Sequence, residues 1–335
     1  MKEKMTANER FHALITGKPF DRMPKIEWAP WWHLTIERWQ REGMPVENDV
    51  WKIQDHFGLD KCIQFVMFSR SAETPVAPWH GAGIMKNEAE YAEIKKTMFK
   101  APELLFPKEF KDYFLKQREG GDTVHFFTVE GFFWFARELF GIEAHLYSFY
   151  DYPELLHEMS RDYLAWLKKV FEYVGNTFTF DFMSFAEDMS YNLGPMLSEE
   201  LFDEFLAPYY KEIIPLVKAA GIPVFIDSDG DITRAVDWYA RVGADGMFPL
   251  ERQAGVDVSL YIEKQPQMTF LGHYDKMVQN KGEAAMRAEF ERILPSAQKG
   301  KVIISTDHQT PPGVSYEDYK IYSRLLAEYA EKVFR

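Results

Sequence analysis

Eight short apolar runs alternating with stretches of helical periodicity constrain this chain more than any other feature. They cover 25–29, 61–67, 124–129, 178–185, 223–226, 246–250, 268–272 and 301–305, are rich in Phe, Val and Ile, and are mostly bounded by Gly, Pro or charge. That is the signature of buried parallel strands. Between them apolar residues recur at spacings of three and four, as at Leu155, Leu156, Met159, Tyr163, Leu167, Val170, Phe171 and Val174. Helices are expected over 153–174, 198–220, 231–242, 283–294 and 316–334. The second opens on Ser198 with acids in its first turn and stops at Gly221-Ile222-Pro223. Eight such units predict one domain over 1–335, a single (β/α)8 TIM barrel. Residues 69–123 break the rhythm with Pro75, Pro78, Pro102 and Pro107. They are expected to form an insertion after the second strand, with a short hairpin and one helix near 108–117.

In such a barrel the chemistry sits at the C-terminal ends of the strands. Ionisable residues occupy several of those ends. Asp227 and Asp229 lie two apart on an extended segment and so share a face. Two such carboxylates can hold a metal or share a proton, or they can belong to a polar turn. Asp231 reads as a helix cap. Glu251 closes Phe248-Pro-Leu-Glu, where a surface loop is the plain alternative. His273 is the strongest single candidate, because Gly272 before it lets a ligand or backbone approach closely. A satisfied core histidine is its alternative. Asp307 and His308 follow the last run. Trp28 and Trp31, with Trp32, crowd the first strand end, where they either stack on an aromatic ligand or pack under the insertion. Glu187, just past the fourth run, joins Trp28, Trp31 and Asp227 among the candidate substrate contacts. The remaining seven histidines read as structural.

Composition excludes several partners. Lys and Arg number 39 against 52 Asp and Glu, a net charge of −13, which disfavours a nucleic-acid backbone or an anionic membrane surface. No apolar run approaches the roughly 20 residues that a membrane helix needs. The first residues are polar, so a cytoplasmic location is expected. Cys62 is the single cysteine, which excludes an internal disulfide and a thiolate metal cluster. Gly-x-Gly-x-x-Gly, P-loop and serine-elbow motifs are absent. So is Asp-x-His-x-x-Gly, the pattern that carries the lower cobalt ligand of corrinoid-binding modules.

An ordered set of segments carries a resemblance. They are Met5-Thr-Ala-Asn-Glu-Arg-Phe-His-Ala-Leu-Ile-Thr-Gly-Lys, Asp21-Arg-Met-Pro, Gly194-Pro-Met-Leu-Ser-Glu-Glu-Leu-Phe, Pro208-Tyr-Tyr-Lys, Asp227-Ser-Asp-Gly-Asp, Gly243-Ala-Asp-Gly-Met-Phe-Pro-Leu-Glu, Gly272-His-Tyr-Asp-Lys and Ser305-Thr-Asp-His-Gln-Thr-Pro-Pro-Gly-Val-Ser. Over nearly its whole length the chain resembles the uroporphyrinogen decarboxylase superfamily, which implies a single (β/α)8 barrel. The decarboxylases of that superfamily share an N-terminal Arg-Gln-Ala-Gly-Arg stretch. Here the region reads Ile26-Glu-Trp-Ala-Pro-Trp-Trp, without the cations that a tetrapyrrole with eight carboxylates would need. Its thiol methyltransferases share His-x-Cys on the fifth strand and a Cys on the last. Here the first pair is Asp227 and Asp229, so soft zinc–sulfur chemistry is disfavoured.

The chain looks most like the corrinoid-dependent methyltransferases of O-demethylase systems. That resemblance implies methyl transfer from an aryl methyl ether to cob(I)alamin on a separate corrinoid protein. Zinc on some of Asp229, Glu251, His273 and Asp307, or proton donation from His273 or His308, would help the phenolate leave. The implied catalytic set is His273, Glu251, Asp229 and His308. A decarboxylase, a thiol or amine methyltransferase, and a silent corrinoid- or tetrapyrrole-binding protein are the alternatives.

Overall fold

The computed structural model describes residues 4–29, 31–118 and 122–334. Seven strands form one curled, wholly parallel sheet: β1 (Lys61–Met67), β2 (Thr123–Glu130), β3 (Phe182–Ala186), β4 (Val224–Asp227), β5 (Gly246–Phe248), β6 (Thr269–Tyr274) and β7 (Lys301–Thr306). Each pairs with its sequence neighbours, and helices cross over between them. This is a TIM-barrel-like arrangement, as the alternating runs require.

The eighth expected strand, 25–29, makes no ladder among the described residues. It lies in the seam between β7 and β1 and is held there mainly by side chains. Trp28 Nε1 donates to the Thr306 carbonyl at 3.0 Å. The Glu27 carboxylate accepts from the Thr306 N–H at 3.1 Å and the Ser305 hydroxyl at 2.8 Å. The Asp60 N–H donates to the Lys25 carbonyl at 2.9 Å. On the facing edge the Gln54 amide donates to the Cys62 carbonyl at 2.8 Å and accepts from its N–H at 3.3 Å. Buried edge groups must find partners, and side chains supply them here in place of a strand.

Three further expectations differ. The segment 198–220 splits into helices Glu199–Phe205 and Ala207–Ala219, because Pro208 near the second start has no N–H with which to continue the first. Residues 231–234 stay outside the next helix, Ala235–Val242, and Asp231 instead accepts from the Thr233 N–H at 2.9 Å. Between β1 and β2 run helices Glu88–Ile94, Pro102–Leu105 and Lys108–Arg118. The last is the helix expected there. The hairpin expected in 69–123 is not found among the described residues of that segment; a two-stranded antiparallel pair forms instead at Ser190–Tyr191 and Gly194–Pro195.

Phenylalanines fill the barrel. Phe126 stacks on Phe182 with centroids 4.4 Å apart, Phe182 lies 4.9 Å from Phe225, and Trp28 lies 5.0 Å from Phe248. One step toward the C-terminal end on the same face, Thr128 bonds Ser184 Oγ at 2.7 Å, and its Oγ1 accepts at 2.8 Å from Nε2 of Gln64, the register partner of Phe126. Side chains two apart share a strand face. The face that runs Phe182, Ser184, Ala186 therefore continues to Asp188, and the face of Phe225 continues to Asp227. The apolar filling places the acids at the mouth.

Candidate functional site

The mouth gathers Asp188, Asp227, Asp229, Glu251, Asp307, Lys276 and His308. Five strand-end loops interlock to hold them. Asp188 Oδ1 accepts the Asp229 N–H at 3.3 Å. Glu251 Oε2 accepts the Gly230 N–H at 3.0 Å, and Glu251 Oε1 lies 3.3 Å from Lys276 Nζ. Asp307 is fully buried and accepts the N–H groups of Lys276 at 3.1 Å and Arg252 at 3.0 Å. His308 Nε2 lies 3.6 Å from Asp229 Oδ2, and its ring meets Trp28 edge-on at 6.0 Å.

Five carboxyls around one ammonium cannot all stay ionised. Burial, then the charges of Asp188, Glu251 and Asp307, push the Asp229 carboxyl up to about 8, against the pull of Lys276. Burial with Asp188 and Asp229 pushes Asp227 well above the carboxylate range. Burial also raises Asp188. Asp307 rises to about 6 through burial, offset by Lys276 and its two N–H donors. Burial and then Lys276 lower His308. The Asp229 carboxyl is therefore held toward its protonated form, and the His308 imidazole beside it toward its neutral form. That pair can donate a proton to an oxygen leaving group.

His273 does not join them. Its ring is fully buried on the helix side of β6, with Nε2 2.8 Å from an Arg292 guanidinium nitrogen and 3.4 Å from the Val258 N–H, and Nδ1 3.3 Å from the Leu250 carbonyl. Burial, then Arg292, lowers its pKa to about 4, so it is neutral and structural. Gly272 and His273 have φ of +117° and +71°, which breaks the strand alternation. The close approach at Gly272 is to backbone: a Cβ there would sit 2.0 Å from the Pro249 carbonyl oxygen.

Glu187 also turns away from the mouth. Fully buried, it accepts the N–H groups of Phe133 at 2.9 Å and Trp134 at 3.2 Å, and the hydroxyl of Tyr210. It caps helix Phe132–Phe140. Trp31 packs edge-on against Trp39 and Tyr319, with centroids 6.1 and 5.9 Å away. It also lines a cavity of about 320 Å³ with Trp28, Gln64 and Val66 at the seam. Trp28 alone of the two touches His308.

The expected zinc set does not fit. His273 faces Arg292, both Asp307 oxygens take N–H donors, and the Lys276 ammonium lies by Glu251. Among the described residues no three His, Cys, Asp or Glu side chains converge as metal ligands. Asp188 and Lys276 were missed by the sequence reading. Asp188 was available from the two-residue spacing after Phe182. Lys276 lies in a 3-10 turn, Lys276–Val278, that periodicity does not mark.

Residues 183–329 match the family model of uroporphyrinogen decarboxylase (URO-D). A methyltransferase from Methanosarcina mazei superposes with a TM-score of 0.70 at 14% identity, covering 97% of this chain and 99% of its own. A B12-independent methionine synthase from Shewanella sp. W3-18-1 superposes at 0.47 with 11% identity, over 92% of each chain. No curated protein matches the sequence.

Proposed function

We propose that this chain, a member of the uroporphyrinogen decarboxylase superfamily by the domain at 183–329, is a methyltransferase that cleaves an aryl methyl ether with Asp229 as proton donor. The observation that carries the reading is the crowding of acids around Asp229 at the barrel mouth, 3.6 Å from His308, which pushes its carboxyl up to about 8. The methyltransferase that shares the fold is in keeping with it. A corrinoid held by a separate protein would supply the nucleophile and accept the methyl group.

What this chain does is make the oxygen leave. When the methyl–oxygen bond breaks, its electron pair stays on oxygen, and a phenolate with a pKa near 10 is a poor leaving group. The Asp229 carboxyl gives that oxygen its proton, so a neutral phenol departs and a carboxylate remains. The new negative charge is met by Lys276, whose pull on Asp229 opposes that of the acids. Trp28 and Phe248 form an apolar floor beside His308 that excludes water and suits a ring. Decarboxylation of uroporphyrinogen is disfavoured, because eight substrate carboxylates would meet five protein carboxyls and one lysine.

The test is reconstitution. Supplied with a reduced corrinoid protein and guaiacol, the chain should yield the methylated corrinoid and catechol, and neither protein alone should do so. Methylation of a thiol with no ether cleavage would overturn the reading, and so would coproporphyrinogen formation from uroporphyrinogen at about 1 per second or faster.

A further inference from the structure

Glu251 and Asp307 flank a single ammonium. Lys276 Nζ lies 3.3 Å from Glu251 Oε1 and 3.9 Å from Asp307 Oδ1. The Lys276 backbone is fixed as well, since its N–H donates to the same Asp307 oxygen at 3.1 Å. The outer oxygens are tied down by the N–H groups of Gly230 and Arg252, both at 3.0 Å. Only 16% of the lysine side chain meets solvent, and none of the Asp307 side chain does. The ammonium is therefore built into the mouth.

We propose that Lys276 is the resident cation of this site, taking the place between Glu251 and Asp307 that a divalent metal ion would need, so that the chain binds no zinc there. A metal bridging those acids would enter within contact distance of a fixed positive charge, and like charges so close repel strongly where water is scarce. The ammonium already bridges the two acids, and among the described residues no three His, Cys, Asp or Glu side chains converge as metal ligands. Without it, Glu251 and Asp307 would flank one vacated place, with Asp229 and His308, 3.6 Å from each other, in the same mouth. Carboxylate oxygens with one imidazole nitrogen are a donor set that zinc accepts. The proposal rests on this geometry and stands or falls independently of the methyl-transfer reading.

Calorimetric titration of zinc chloride at pH 7 into chelator-stripped protein tests it. Wild type and Lys276→Arg should take up no zinc at the mouth. Lys276→Ala should bind one ion at least about tenfold tighter than wild type, from loss of the charge repulsion. Adding Glu251→Gln to that variant should abolish the gain. Lys276→Gln, closer in size, repeats the test if circular dichroism shows the alanine variant misfolded. Zinc binding to wild type as tight as to Lys276→Ala would overturn the proposal. So would zinc binding to neither protein, since the ammonium would then exclude nothing.

Discussion

Replacing His273 by alanine should damage stability and spare catalysis. The ring accepts a charge-assisted hydrogen bond from Arg292 at 2.8 Å, and Nδ1 donates to the Leu250 carbonyl at 3.3 Å. Arg292 keeps two bonds to Glu289 and one to the His273 carbonyl, so it is not stranded in the variant. Loss of the charged bond costs about 1.5–3 kcal/mol. The void left by a fully buried ring adds to that, for a total of roughly 2–4 kcal/mol. At about 2 °C per kcal/mol for a chain of this size, Tm should fall by roughly 4–8 °C. No ring atom reaches the mouth, so kcat measured well below Tm should stay within about threefold of wild type. Thermal unfolding by circular dichroism and initial rates on the same preparation give both numbers. An unchanged Tm with a kcat loss of about 10² would refute the placement of His273 and return it to the active site.

Other consequences follow from the same packing. Gly272→Ala places a Cβ 2.0 Å from the Pro249 carbonyl oxygen at φ +117°; soluble yield should collapse, and a well-folded, active variant would contradict this geometry. Glu187→Ala removes the acceptor of two helix-start N–H groups and the Tyr210 hydroxyl, and should cost roughly 2–4 kcal/mol in denaturant unfolding. His273 and His125 are lowered to about 4 and His145 to about 3, each first by burial. Their neutral forms favour the fold, so that contribution is full above the unfolded pKa near 6.5 and is lost as pH falls from there toward 4 and 3. His145→Leu should make Tm less acid-sensitive over that window; an unchanged Tm–pH profile would count against it.

Where strand alternation held, the site was legible. Phe225, Asp227 and Asp229 follow one face outward, and Asp307 and His308 follow β7. It failed where backbone departed from the extended form. The positive φ at Gly272 and His273 reversed the face of the most conspicuous histidine. The apolar run at 25–29 read as a strand because periodicity records burial and not edge pairing. Glu187 looked like a site residue just past the fourth run, but it continues the odd positions of β3, which face the helices, and there it became a cap. Lys276 carries no periodic signal because it sits in a turn, yet its contacts organise the acids.

The role of Asp229 is the central claim, and leaving-group dependence tests it most directly. Rates of Asp229→Asn and wild type should be compared on guaiacol and on 4-nitroanisole with the reduced corrinoid protein. Wild-type activity on guaiacol should fall as pH rises through about 8, because Asp229 acts in its protonated form. Asp229→Asn should lose about 10²-fold or more on guaiacol, whose phenolate needs the proton, and less than about tenfold on nitroanisole, whose phenolate leaves unaided. Equal losses on both ethers, or no loss on guaiacol, would contradict proton donation by Asp229.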